Sequence, residues 1–233
     1  MSDILVIGGG IAGLSAAARL APHAQVTVLE AEDALGYHAS GRSAALFEQS
    51  YGLAPVRALS RASAAFHQPY LSPRGLMLVA RAGDAAAFEA DRADMGLTEI
   101  TAEAARARVP ILNETVSRVA YHADAQDIDT DRMLQDFART VRAHGGQVVT
   151  GARVTGIEAG WRVATTAGAF DGKRIVNAAG AWADTIARMA GIKPIGINPF
   201  RRSMVRIPAP GGRAVSGWPM IFGVGETWYA KPD

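Results

Sequence analysis

Within residues 4–30, ILVIGGGIAGLSAAARLAPHAQVTVLE, Gly8, Gly10 and Gly13 stand in G-x-G-x-x-G spacing, and an acid, Glu30, follows Gly10 by twenty residues. These residue types suit a diphosphate and a ribose. Gly8 permits a tight turn, Gly10 lets backbone approach a pyrophosphate, and Gly13 lets a helix lie close on a strand. The N–H groups at the helix start, from Gly10 through Ile11 and Ala12, are unpaired donors that can hold phosphate oxygens. Glu30 stands where a carboxylate accepts hydrogen bonds from ribose hydroxyls and disfavours a 2′-phosphate. An isolated glycine triplet is a weak signal. Here it is flanked by the elements that must position it: Ile4–Ile7 read as a buried parallel strand, Ile11, Leu14 and Ala18 as a helix packed on a sheet, and Val26, Val28 and Leu29 as the next strand, which delivers Glu30 and Ala31.

The remaining chemistry is sparse. No cysteine is present among the 233 residues, which removes disulfides, thiolate metal sites, a cysteine nucleophile and a cysteine-linked flavin. The five histidines, at 23, 38, 67, 122 and 144, show no metal-ligand spacing, so no metal is expected and most of them read as surface or structural. Lys and Arg total 24 against 22 Asp and Glu, a formal charge of +2, and the arginines are dispersed. No stripe for nucleic acid results, and the modest basicity suits anionic ligands. No apolar run approaches the roughly 18 residues of a membrane span, and Asp3 stands where a signal peptide carries basic residues. Cytoplasm is the expected compartment.

Beyond residue 30, GYHASGRSAALFEQSYG at 36–52 has no period and reads as an ordered loop past the cofactor. Residues 55–67, 84–95 and 102–108 read as helices, and those from Arg74 and over 116–121 as strands of a separate layer. A strongly amphipathic helix follows Asp129-Thr130, with Met133, Leu134, Phe137 and Val141 inward, and closes at Gly145-Gly146. Residues 147–149, 153–158, 161–166 and 174–177 then read as strands including a small meander, and 182–189 as a helix. The tail predicts antiparallel strands over 203–207, 220–223 and 227–231.

Motifs along nearly the whole chain resemble the D-amino acid oxidase superfamily of FAD-dependent amine oxidoreductases, and within it most closely the bacterial D-arginine dehydrogenases. They are GYHASGRSAA (36–45), Tyr51-Gly52 with VRAL (56–59), LSPR (71–74), DIDTD (127–131), VNAAGAWAD (176–184), RRS (201–203) and YAKPD (229–233). The resemblance implies an α/β fold in which a Rossmann-type FAD-binding domain (residues 1–50 and 128–196) interleaves with an α+β substrate domain built on an antiparallel sheet (51–127 and 197–233). It also implies non-covalent FAD and oxidation of an amino acid at the amine-bearing carbon. Gly41, Arg42, Ser43, Ala44 and Ala45 are then expected beside the flavin ring. Val154 is expected to meet the adenine through its backbone, and Ala178, Ala179 and Gly180 to pass the diphosphate and ribitol. Trp182 is counted near the cofactor but reads chiefly as core. Members of the resembled family continue well past YAKPD, so the chain is expected to be a C-terminally truncated piece with an incomplete second substrate-domain segment.

On the substrate side the resemblance assigns Tyr51, Arg202 and Tyr229. An amino acid carboxylate needs a fixed cation, arginine offers a two-pronged donor, and tyrosine hydroxyls donate without competing charge. Strand alternation would turn the adjacent Arg201 away. Three positions depart from the D-arginine dehydrogenases: Leu76 replaces the glutamate facing the substrate guanidinium, Leu46 replaces a histidine, and Glu48 a threonine. A leucine-lined pocket would leave a buried guanidinium unpaired, which points to an apolar or small side chain, although Glu48 could restore a cation preference from another angle. The expected reaction is FAD-dependent oxidative deamination of a D-amino acid to a 2-oxo acid and ammonia, with an unidentified electron acceptor. Four alternatives stay open: oxidation of another small amine such as glycine or sarcosine, a non-catalytic flavin-binding module, an NAD-dependent dehydrogenase, which the later motifs disfavour, and covalent attachment of FAD at His38.

Overall fold

A computed structural model describes residues 1–232; Asp233, the last residue of YAKPD, lies outside the described residues. In chain order the elements are β1 (Ser2–Ile7), α1 (Ile11–Leu20), β2 (Val26–Leu29), β3 (Leu46–Phe47), α2 (Ala54–His67), β4 (Leu71–Pro73), β5 (Leu76–Ala80), α3 (Ala85–Met95), β6 (Thr98–Ile100) and α4 (Ala102–Arg108). They continue with β7 (Arg118–His122), β8 (Gln126–Ile128), α5 (Thr130–Ala143), β9 (Gln147–Val149), β10 (Val154–Glu158), β11 (Arg162–Thr165), β12 (Gly168–Asn177), α6 (Ala183–Met189), β13 (Met220–Gly223) and β14 (Tyr229–Ala230). The chain divides into two compact units, one formed by residues 1–43 and 130–203, the other by 44–129 and the chain from Met204 on.

The first unit is built on a six-stranded sheet in the order β10-β11-β12-β1-β2-β9. β12, β1, β2 and β9 run parallel, and β10–β12 form the expected antiparallel meander at one edge. Because successive side chains alternate faces, Leu5 and Ile7 point to one side, where Leu29, Val154, Val163 and Ile186 of α6 close a buried cluster. The opposite faces of β1 and β2 serve α1 and α5, which pack on each other with Leu14, Ala17, Met133, Leu134, Phe137 and Val141 buried. Ile11 departs from expectation: at the first position of α1 it is 37% exposed, because the packed stripe begins at Gly13 and Leu14.

The second unit has a five-stranded sheet, β14-β13-β5-β7-β6, antiparallel except for the parallel β13–β5 pair, and a three-stranded sheet, β3-β8-β4. One face of the larger sheet buries Leu76, Leu78 and Ala80 with Phe88 and Met95 of α3; the other buries Met77, Val79, Val119 and Ile221 with Ala105 of α4 and the adjoining Val109. β4, β6 and β8 give no strand signal in the sequence, because each is three residues long and broken by polar residues or proline.

Residues 192–209 form no helix or strand, so the strand expected over 203–207 is corrected. Alternation specifies which side chains share a face but supplies no partner for the backbone, and Val205 and Ile207 are exposed here. Strand alternation therefore does not turn Arg201 away from Arg202. The start of this stretch is held instead by the buried carboxylate of Asp184, which accepts N–H groups from Ile195, Gly196 and Ile197 at 3.1, 3.0 and 2.9 Å. No helix among the described residues is long and apolar enough to cross a membrane.

Candidate functional site

In the first unit the glycine turn, the acid and the AAG turn come together at the ends of the parallel strands. Gly8 has φ +113°, and a Cβ on it would lie 2.3 Å from the Ala178 carbonyl oxygen. A Cβ on Gly13 would lie 1.9 Å from the Gly8 carbonyl oxygen. Both are backbone collisions, so the strand, the turn and α1 can approach this closely only without side chains. The amide of Ala178 donates to the Ile7 carbonyl at 2.9 Å, and Gly180 has φ +53°. Gly10 caps α1 with no side-chain hydrogen bond, and the first helical turn carries no acid. Among the described residues, the side-chain group found at this helix start is the hydroxyl of Ser40, which accepts from the Ile11 N–H at 3.0 Å. Ile11 and Ala12 are exposed beside it.

Glu30 is 8% exposed at the end of β2. Its Oε2 accepts the Gly9 N–H at 2.6 Å and its Oε1 the Glu32 N–H at 2.9 Å. A carboxylate has about four lone-pair positions, so two remain for hydroxyl donors. The backbone of Glu30 donates to Val149 and accepts from Ala152, which brings the first meander strand and Val154 alongside. Val154 is itself buried. A neutral pair of hydroxyls fits this acid better than a phosphate, and the glycine cradle at the start of α1 fits a diphosphate; the residues present fit a dinucleotide such as FAD.

The loop from Gly36 forms one 3-10 turn at Ser40–Arg42 before Ser43 returns to extended backbone. Arg42 lies over the Tyr37 ring with its guanidinium carbon 4.6 Å from the centroid. Ala45 has φ +51°, a left-handed conformation costing about 1 kcal/mol for a residue with a Cβ. Its carbonyl accepts the Ile128 N–H, which ties the end of the motif to β8. His38 engages Glu32 through Nε2 at 3.1 Å and rests against the Trp182 ring at 4.6 Å. Glu32 also takes Arg153 at 2.8 Å, and these two partners, His38 foremost, hold its carboxyl below the ordinary carboxylate value. Trp182 is 45% exposed at the end of the 3-10 turn before α6, where the ring of His38 is its aromatic neighbour, so its reading as core is corrected.

In the second unit the three substituted positions meet. Leu46 on β3 packs against the cluster holding Leu76, and Glu48 is buried beside them. The Glu48 carboxylate accepts from the Ser50 N–H and hydroxyl at 2.9 and 2.7 Å, and its Oε2 lies 2.6 Å from His122 Nδ1. Tyr51 is 46% exposed, its hydroxyl donating to Glu226 at 2.8 Å, and Tyr229 stands on the edge strand β14 opposite Phe222. Arg202 is exposed in the irregular stretch of the first unit. His122, among the histidines expected to be surface or structural, is the partner of a buried acid. Only the register of β7 against β5, which sets His122 opposite Leu76, exposes it.

The family of FAD dependent oxidoreductases matches residues 3–233 of this chain. Glycine oxidase from Geobacillus kaustophilus superposes with a TM-score of 0.74 at 20% identity, covering 100% of this chain and 68% of that one. L-proline dehydrogenase from P. horikoshii gives 0.70 at 24% identity, covering 95% of this chain and 64% of that one. L-aspartate oxidase of Yersinia pestis is 47% identical over 53 residues, 22% of this chain and 10% of that protein. The chain thus spans about a tenth of that curated relative and about two thirds of these two solved relatives.

Proposed function

From the premise that this chain belongs to the FAD dependent oxidoreductase family, we propose that the whole protein oxidatively deaminates a D-amino acid with an apolar or small side chain, with FAD held non-covalently. When bound, FAD supplies the two-electron acceptor for hydride leaving the substrate α-carbon. The remaining work falls to the protein. The N–H groups at the start of α1 and the Gly8–Gly10 turn bind the diphosphate, and Glu30 orients the ribose. Arg202 is the cation assigned to the substrate carboxylate, and Tyr51 and Tyr229 are the residues assigned as neutral hydroxyl donors. Loss of hydride and of one N–H proton leaves an imino acid, which water hydrolyses to a 2-oxo acid and ammonia. The D configuration rests on the resemblance of GYHASGRSAA, LSPR and YAKPD.

The observation that carries the side-chain preference is the meeting of Leu46 and Leu76 in one apolar cluster while the nearby Glu48 carboxylate is already occupied. A cationic side chain brought there would lose its hydration with no unengaged counter-charge, at a cost of about several kcal/mol. The test is anaerobic bleaching of the flavin absorbance in the full-length protein by a panel of D-amino acids. Bleaching by D-leucine, D-methionine or D-phenylalanine is expected. Preference for D-arginine or D-lysine would overturn the side-chain assignment, and a flavin that no amino acid bleaches would overturn the deaminase reading.

A further inference from the structure

A cleft of about 230 Å³ opens in the second unit beside β3 and the end of β7, lined among others by Phe47, Glu48, Ser50, Arg61, His122 and Asp124. Its floor is an acid that water hardly reaches: the Glu48 side chain is 4% exposed, whereas that of His122 is 32% exposed. A carboxylate in such a place must be compensated by donors or a cation, since an ionised acid without them is strongly disfavoured. One oxygen accepts the Ser50 N–H and lies 2.7 Å from the Ser50 hydroxyl, whose single hydrogen is shared with the Met95 carbonyl at 2.9 Å. The other oxygen has His122 Nδ1 at 2.6 Å. With the carboxylate as acceptor, Nδ1 is the donor, and Nε2 of the same ring lies 3.9 Å from Asp124, whose side chain is 92% exposed.

His122 occupies this place through the sheet. It lies directly opposite Leu76 in the antiparallel β5–β7 pair, so the two side chains share a face. The next pair on that face, Leu78 and Ala120, belongs to the apolar cluster that Leu46 packs against. One face of the sheet therefore sets the buried Leu76, in the cluster that Leu46 packs against, next to an acid–imidazole pair.

Resting on the deaminase reading above, we propose that His122 is a positioning residue that sets charge selectivity for the substrate side chain, by occupying the Glu48 carboxylate that would otherwise attract a cationic amino acid. With His122 in place the acid makes no demand on the substrate, and the leucines favour an apolar group. Without it, one oxygen of a nearly inaccessible carboxylate loses its partner, and an ammonium or guanidinium on the substrate becomes the group able to replace it.

The experiment compares kcat/KM for D-lysine and D-leucine in the full-length, flavin-replete protein and its variants. His122→Leu is expected to raise the D-lysine to D-leucine ratio at least tenfold, and the double variant His122→Leu with Glu48→Gln to return it to the wild-type value. Should the leucine variant fail to fold, His122→Phe carries the test in the same direction, because a ring of similar shape offers the carboxylate no N–H donor. A purely structural role for His122 would lower both rates together and leave the ratio unmoved. An unchanged ratio in a folded, flavin-replete variant overturns the inference, as does a wild-type protein that already prefers D-lysine. If wild type and variants alike fail to bleach with any amino acid, the deaminase reading fails first and the selectivity inference with it.

Discussion

His67 shows how one residue couples burial to proton binding. Its ring lies between Phe47 and Phe66, with centroids 5.3 and 5.6 Å away, and its Nδ1 is buried without a hydrogen-bond partner among the described residues. Burial therefore pushes its pKa below the ordinary value of 6.5. The folded protein then binds fewer protons here than the unfolded chain, so stability rises with pH through this window. Whatever His67 costs is absent above 6.5 and grows as pH falls below it. Replacing His67 by Phe, which keeps an aromatic ring and removes the titration, is expected to shrink the difference between urea midpoints measured at about pH 7.5 and about pH 5.5. An equal or larger difference in the variant would show that the ring nitrogen is not the responsible group. At this scale the place of Glu30 at the end of β2 was legible from spacing alone, because a strand of defined length follows a helix of defined length. The role of Ser40 was not, since its hydroxyl reaches the Ile11 N–H only through the fold of an aperiodic loop.

At the scale of elements, the contact of α1 with the Gly8 turn is the most demanding junction. A methyl at residue 13 would meet the Gly8 carbonyl oxygen at 1.9 Å, a backbone atom that no rotamer change can move aside. Gly13→Ala is expected to cost about 1–3 kcal/mol or more by overpacking, and also to displace the helix start from the diphosphate. Both effects are measurable together: a lowered melting temperature, and a flavin-to-protein absorbance ratio that falls well below the wild-type value. Retention of full flavin occupancy would show that the close approach is dispensable. Helices α2 to α5 and strands β1, β2, β5, β9 and β13 were readable because their apolar residues recur with a period or form a compact run bounded by turn residues. The strand proposed over 203–207 shows the limit of that signal: an alternating segment still needs a neighbour for its N–H and C=O groups.

At the scale of the whole molecule the chain builds two cores by passing between them three times, at residues 43, 129 and 203. β1 consequently pairs with β12, setting Ser2 beside Gly172, and β5 pairs with β13, setting Leu76 beside Met220. The second core rests heavily on Phe88, fully buried and covered by the guanidinium of Arg118 at 4.3 Å. Arg118 in turn holds Glu89 and Glu99 below the ordinary carboxylate value. Phe88→Ala is expected to lower unfolding stability by about 3–5 kcal/mol, read from the denaturant midpoint; a loss under about 1 kcal/mol would mean that the core collapses around the cavity. The sequence by itself determined the dinucleotide turn, its acid, the parallel strands around them and the family motifs, because each is a local pattern of spacing and side-chain type. The tertiary structure alone decided that Leu46, Glu48, Leu76 and His122, spread across 77 positions of chain, come together at one end of a sheet. Which residues face one another across a sheet depends on register, and register is set by pairings between segments far apart in sequence.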